Sequence, residues 1–540
     1  MNDNKLVNLT GKPRSNKKGK TMQRSVSIIL VQLTVLLFSP SFVSATTYYV
    51  SSSDGNDTND GTAPEQAWKS LKKVNEMTFK PSDKILFVAN TYYPGQLKPQ
   101  GSGALVDGKP SPIVIGMYGK GKKPCIDAHG EYQSALYLYN VEYWEVNKLE
   151  ITNKGPERKA NRMGVYVHIK DFGTAHHIYL KNLYVNDING SLIKNIAGHG
   201  IAWRNEGEKK MSRFDGLLIE GCHLVRCERN GIMGFGYWKR DESWYPSLNM
   251  IIRNNLLEQV PGDGIVPIGC DGALVEHNVM RNCTRRLPDG QAAAGIWTWG
   301  CDNTIIQFNE VSDHKAPWDG QGFDSDWDCR NTIIQYNYSH DNEGGFLLIC
   351  NKGNAEESIA INTGTIIRYN ISVNDGLRAA GKHAGFSPCF HISGPVENTK
   401  IYNNIIYVPE KPDSKIDKTM IKMDNWGGPW PENTYFANNI FYVDGSTNYD
   451  WGQSINHIFE NNLYYGKHEN APKDVNAVTA DPLFLSPRSA KAGFETLRGF
   501  MLKKGSPCIG RAAPIENNGG RDLWGNTITK QGPRNIGAYE

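Results

Sequence analysis

The stretch Asn303-Thr304-Ile305-Ile306-Gln307-Phe308-Asn309 returns as Asn331-Thr332-Ile333-Ile334-Gln335-Tyr336-Asn337 and again as Gly364-Thr365-Ile366-Ile367-Arg368-Tyr369-Asn370. Weaker copies end at Asn254, Asn278, Asn404, Asn439 and Asn462. A short pattern recurring every two to three dozen residues, roughly, marks a stacked architecture in which each unit buries its apolar face only against its neighbours. Each copy is a β-branched and aromatic run closed by Asn, which suits a strand followed by a tight turn where Asn tolerates left-handed geometry and hydrogen-bonds along a ladder. Ile305, Ile333 and Ile366 are therefore expected in register on adjacent coils.

A second element follows each Asn after a loop of variable length: Gly231-Ile232, Gly264-Ile265, Gly295-Ile296, Gly322-Phe323, Gly345-Phe346 and Gly385-Phe386. Glycine permits the turn and the next residue points inward. The chain lacks the leucine spacing of leucine-rich repeats and the even blade period of propellers. Variable loops between fixed strands predict an all-β, single-stranded right-handed parallel β-helix. Cys270, Cys301, Cys329, Cys350 and Cys389 fall about once per coil and are expected as an internal stack of buried, unpaired thiols. A stacked sheet must hide its terminal edges. Ala63 to Met77 is expected to form a short capping helix with Trp68, Leu71 and Val74 on one side, ahead of strands from Ile85. The N-terminal cap spans about 46–90 and an irregular C-terminal cap about 470–540, both within one β-helix domain, 46–540.

Residues 1–45 read as an export signal: basic residues from Lys5 to Arg24, an apolar run from Val26 to Phe38, then the small residues Val43 and Ala45 at a cleavage site. The run is too short to span a bilayer comfortably, so the mature chain is expected to be secreted or periplasmic, without membrane insertion. This segment holds seven of the 59 basic residues and one of the 56 acidic ones, so the remainder is slightly acidic. Without a basic stripe, no nucleic-acid partner is expected. The 10 cysteines include no CxxC pair to make a zinc site.

Tyr48-Tyr49-Val50-Ser51, Asp60-Gly61-Thr62, Trp68-Lys69-Ser70, the coil repeats, and the closing segments Asp481-Pro482-Leu483-Phe484, Gly505-Ser506-Pro507-Cys508 and Ile536 to Glu540 together resemble the secreted pectate-lyase-like β-helix proteins of polysaccharide-degrading bacteria. The resemblance covers nearly the whole chain after residue 45. It implies a polysaccharide or oligosaccharide as partner of a monomeric protein, and it leaves hydrolase, lyase, esterase and adhesin open.

Equivalent positions of successive coils stack about 4.8 Å apart, so outward residues form columns. With Ile265, Ile296, Phe323 and Phe346 inward, the outward sets are Val266, Trp297, Asp324, Leu347 and Ile268, Trp299, Asp326, Ile349. Two carboxylates then lie beside two tryptophans, and Asp within a strand asks for a reason. Trp faces stack on sugars and carboxylates perform acid–base or nucleophilic work on glycosidic bonds. Asp324, Asp326 and, at the turn of the next coil, Glu343 are the catalytic candidates. Trp297, Trp299, Asp263, Asp319, His340, Arg378, His383 and His391 are the substrate-binding candidates.

The leading expectation is a glycoside hydrolase using a carboxylate pair and needing no cofactor. β-Helix glycosidases resembling it place a Glu in the strand after the Asp coil, where this chain has Leu348-Ile349-Cys350. The alternative is a Ca2+-dependent polysaccharide lyase, with Asp319, Asp324, Asp326 and Asp328 around the metal and Lys315, Arg378 or Lys382 as base. A glycan-binding adhesin is the third reading.

Overall fold

The computed structural model describes residues 45–540 apart from 353–360, 412 and 530–531, so all but Ala45 of the expected export segment lies outside the described residues. Three stacks of parallel strands, one strand of each per coil, wind into a right-handed β-helix. The first stack includes Ile305–Gln307, Ile333–Gln335 and Ile366–Arg368. The second includes Glu310–Ser312, Tyr338–His340 and Ile371–Val373. The third includes Ile296–Thr298, Phe323–Ser325, Leu347–Cys350 and Phe390–Ser393.

The repeat sets this register. Ile305, Ile333 and Ile366 are direct partners on adjacent strands, as expected. Strand alternation turns the following residues, Ile306, Ile334 and Ile367, fully into the core. The asparagines do not supply the left-handed turn. That conformation is taken by the aromatic residue before each, with φ of 54° at Phe308, 57° at Tyr336 and 53° at Tyr369. A non-glycine residue here costs energy. The aromatic stack Phe308, Tyr336, Tyr369, with centroids 5.0 and 5.8 Å apart, helps to offset it.

The buried asparagines form the ladder. Asn309 donates its backbone N–H and Nδ2 to Asn337 Oδ1, Asn337 does the same to Asn370, and the chain of bonds runs on through Asn404 and Asn439 to Asn462. Toward the N-terminus it passes through Asn278 to Asn255. Asn254, read as the repeat residue from sequence, occupies the left-handed position instead, with φ 56°.

Near the N-terminus, Trp68 joins Val50 through a parallel β-bridge, so the helix is confined to Leu71–Glu76 with Ser70 as its cap. Trp68, Leu71 and Val74 are all buried over the first coils. The C-terminal segment does not simply close the last coil. It runs back along the outside of the second stack, where Leu497, Phe500 and Ile536 pack with Ile405, Ile440 and Leu463 in one apolar cluster. Tyr338 and Tyr336 donate their hydroxyls to the carbonyls of Lys491 and Arg521.

This strap accounts for His340. Its strand belongs to the second stack, a different face from the Asp324 strand. Its nitrogens lie 2.8 Å from Asp341 Oδ2 and 3.1 Å from Glu310 Oε1, and the latter also accepts the N–H of Gly493 in the strap. Burial lowers its affinity for a proton, but Asp341 and Glu310 outweigh that and hold its imidazolium up at about 9. The role expected of it in substrate binding is thus replaced by a contact that holds the strap.

Candidate active site

The third stack is built on glycine for lack of space. A Cβ on Gly264 would lie 2.5 Å from Gly295 O, and one on Gly295 would lie 2.4 Å from Gly322 O. Each glycine sends the next side chain, Ile265, Ile296 or Phe323, into the core, and Trp297 and Asp324 become outward partners as expected. The following coil departs from the expected column by one residue. Phe323 pairs with Leu347, Asp324 with Leu348 and Ser325 with Ile349. The slip originates at Gly344-Gly345: Gly344 lies so close to Asp319 O that a Cβ would fall 1.8 Å from it, and Gly345 takes φ 104°. Leu347 therefore enters the core, and Cys350 leaves the internal thiol stack to face Asp326. Cys270, Cys301 and Cys329 remain inside, and all ten thiols are unpaired. Cys389 lies outside that stack, lining a cavity of about 260 Å³ with Ser387, Asp375 and Lys411. Gly385 belongs to a loop, and Phe390 takes the core position of its coil.

Three carboxyls converge here. Asp324 is 3% exposed and its Oδ1 has no hydrogen-bond partner. Burial, then the neighbouring Asp326 and Asp319, hold it well above the usual carboxylate range. Asp326, 9% exposed, accepts on Oδ1 from Trp327 N–H at 2.7 Å and from the Cys350 thiol at 3.0 Å. Burial raises its pKa, while the Cys350 bond and Lys194 pull the other way. Asp319 is half-buried at the end of the short strand Trp318–Asp319. Burial, opposed by Lys194 and reinforced by Asp326, pushes its carboxyl up to about 7. Desolvation plus like charge is the arrangement that separates a proton donor from an ionised partner.

The wall beside them is aromatic. Trp297 is almost fully buried and donates its Nε1 to Asp263 Oδ1 at 3.2 Å. Half-buried Trp299 meets Trp327 with centroids 4.8 Å apart and Trp238 at 5.2 Å. Asp263 is fully buried in an ion pair with Arg229 and orients Trp297 from behind. Lys194, carried in by the loop between the strands Tyr184–Asn189 and His199–Glu206, sits over the Trp297 ring at 5.6 Å. Sequence reasoning missed it, because a single Lys in a loop 130 residues upstream carries no pattern.

The remaining candidates are placed differently from one another. Glu343 is engaged by Arg285 in a salt bridge and is not drawn into the Asp324–Asp326 group. Arg378 is 1% exposed and donates to the carbonyls of Phe386 and Asp319, so it holds the Asp319 backbone. His383 lies edge-on to Trp318, with centroids 3.7 Å apart. His391 continues the column of Asp324 through Leu348, buried between Phe386 and Trp426. The residues fit calcium poorly. Asp328, one of the four candidate ligands, is paired with Arg240 at 2.9 Å. Among the described residues, Asp324, Asp326 and Cys350 bring ligand atoms within 4.8 Å of one another, and calcium takes oxygen ligands, not a thiol.

Residues 215–406 match the model of the right handed beta helix region. A lacto-N-biosidase from Bifidobacterium longum is 28% identical over 92% of this chain, which spans only 36% of that protein's length. The crystal structure of a GH136 lacto-N-biosidase from Eubacterium ramulus superimposes with a TM-score of 0.58 at 30% identity, covering 72% of this chain and 68% of that one. A selenomethionine form of the same protein gives 0.57 and 28%, covering 72% and 67%. The coil architecture and this identity over two thirds of the ramulus protein show that the chain belongs to the glycoside hydrolase family GH136.

Proposed function

We propose that the chain is an exported glycoside hydrolase that releases lacto-N-biose from glycans, with Asp319 as general acid and Asp326 as nucleophile. The observation that carries this reading is the contrast between the two carboxyls. Asp319 holds its proton up to about 7, whereas Asp326, which burial also raises, receives two donors on one oxygen that pull back toward its ionised form. Asp326 Oδ2 bonds to the anomeric carbon as the bond to the leaving oxygen breaks, and the Asp319 proton passes to that oxygen. Asp319, now a carboxylate, takes a proton from a water whose oxygen displaces Asp326. One water is consumed, no cofactor is needed and the anomeric configuration is retained. This reading requires the two carboxyls to stand about 5–5.5 Å apart, nearer than the spacing that accommodates a water between them. Asp324, held neutral, donates a hydrogen bond to the bound sugar. Trp299 and Trp327 offer faces for its rings. The substrate reading rests on the relatives named above.

The test is incubation with glycans ending in lacto-N-biose, with products resolved by mass. Hydrolysis adds one water, while unsaturated uronate absorbance would signal elimination and binding without product would signal an adhesin. Export predicts a mature chain beginning at Thr46, checked by N-terminal sequencing of the secreted protein.

The acid must be protonated in the free enzyme, so kcat/KM is expected to fall as pH rises through about 7. The acidic limb reports Asp326, and activity there returns as pH rises and it ionises. A rate–pH profile flat from 6 to about 9 would remove Asp319 from the role of acid.

A further inference from the structure

The internal thiols Cys270, Cys301 and Cys329 donate to main-chain carbonyls of Ile268, Pro267 and Thr298. Cys350 differs from them. The one-residue slip at Gly344-Gly345 brings its thiol to 3.0 Å from Asp326 Oδ1, with only 1% of the residue exposed. The same oxygen accepts the N–H of Trp327 at 2.7 Å. Among the described residues, both hydrogen bonds to the carboxylate fall on Oδ1. A carboxylate held by two donors on one oxygen cannot rotate without losing both, and its second oxygen is held in a fixed direction.

We propose that Cys350 is a positioning residue for the nucleophile: its thiol fixes Asp326 Oδ1 so that Oδ2 alone is presented to the anomeric carbon. This rests on the reading of Asp326 as nucleophile. Burial, then Asp326 and Asp324, raise the thiol's ionisation well above its usual range, so Cys350 stays a donor wherever the enzyme works. The proton is never transferred. The interaction acts through geometry and through the stability of the ionised carboxylate.

The experiment compares Cys350→Ala and Cys350→Ser using an aryl β-glycoside of lacto-N-biose. Loss of the donor is expected to lower kcat about 10- to 100-fold with KM little changed, because Oδ2 is then no longer held in line with the anomeric carbon. It should also displace the acidic limb of the rate profile to higher pH, since Asp326 loses a bond that favours its charged form. Serine, with a hydroxyl donor, should restore much of the rate and return the limb. Alanine with unchanged kcat and an unmoved limb would overturn the proposal. Should alanine fail to fold, the infrared S–H stretch of Cys350, assigned by its loss in Cys350→Ser, still decides the matter. It is expected to move to higher wavenumber in Asp326→Asn, and an unmoved band overturns the inference. Full activity of Asp326→Asn would instead remove the nucleophile reading itself, an outcome distinct from failure of the thiol's role.

Discussion

Asp326→Asn is expected to fold normally and to lose about two to four orders of magnitude or more in turnover, on natural and aryl substrates alike. An amide still accepts the Trp327 N–H on its oxygen but cannot attack the anomeric carbon. Asp319→Asn should behave differently. It lacks the proton for the leaving oxygen, so glycans with a poor leaving group should slow by a similar factor, while an aryl glycoside with an acidic leaving group should keep most of its kcat/KM and lose kcat, because Asp319 is also the base for the second step. Measuring both variants on both substrates separates the roles, because a leaving group that departs unaided needs no acid. Equal losses of kcat/KM for the two variants on the aryl substrate would refute the assignment. Asp324→Asn gives a useful contrast. Its carboxyl binds a proton more tightly folded than unfolded, so its contribution to stability is present below the unfolded value near 4 and lost as pH rises. Replacing it with a neutral amide should therefore leave the protein at least as stable above neutrality, even as substrate affinity falls.

The largest effect on stability is expected at the asparagine ladder. Asn337 accepts two hydrogen bonds from Asn309 and donates to Ile306 O at 2.9 Å and to Asn370 Oδ1 at 3.0 Å, all fully buried. Asn337→Leu nearly keeps the volume but strands the Asn309 N–H, one Asn309 amide proton and the Ile306 carbonyl. At about 1–3 kcal/mol for each buried unsatisfied group, partly relieved by relaxation, a loss of about 3–5 kcal/mol is expected. The midpoint of denaturant unfolding measures it. The same change at Asn403, outside the ladder and bonded to carbonyls of the strap, should cost less. Equal costs would show that the ladder contributes nothing beyond ordinary burial.

The coil fold was legible because its cause is local and repeated. The run Thr-Ile-Ile-Gln-aromatic-Asn commits each coil to an inward Ile, an outward Ile and a polar ladder position, and neighbouring coils can satisfy all three only in register. The same alternation placed Trp297 beside Asp324 correctly. What misled was treating the column as uniform. Leu347 was expected outward and lies in the core, and Cys350 was expected among the internal thiols and faces a carboxylate. The double glycine at 344–345 was the available signal, since two adjacent glycines before a strand permit an extra residue and a closer approach than one. The strap explains His340 in a similar way: nothing in the sequence near residue 493 announces that its backbone will return to Glu310.

By itself, the sequence determined the β-helix, the register of its first strand stack and the presence of two carboxyls on one outer face, because these follow from strand alternation and from contacts between adjacent repeats. Only the tertiary structure sets the proton affinities of these carboxyls, on which the proposed division of roles rests. They depend on desolvation and on charges from distant parts of the chain: Lys194 from a loop far upstream, Arg378 behind Asp319, and Cys350 one coil on. A carboxyl's proton affinity is set by everything within a few ångströms in space, and repeats in sequence report only the neighbours one coil away.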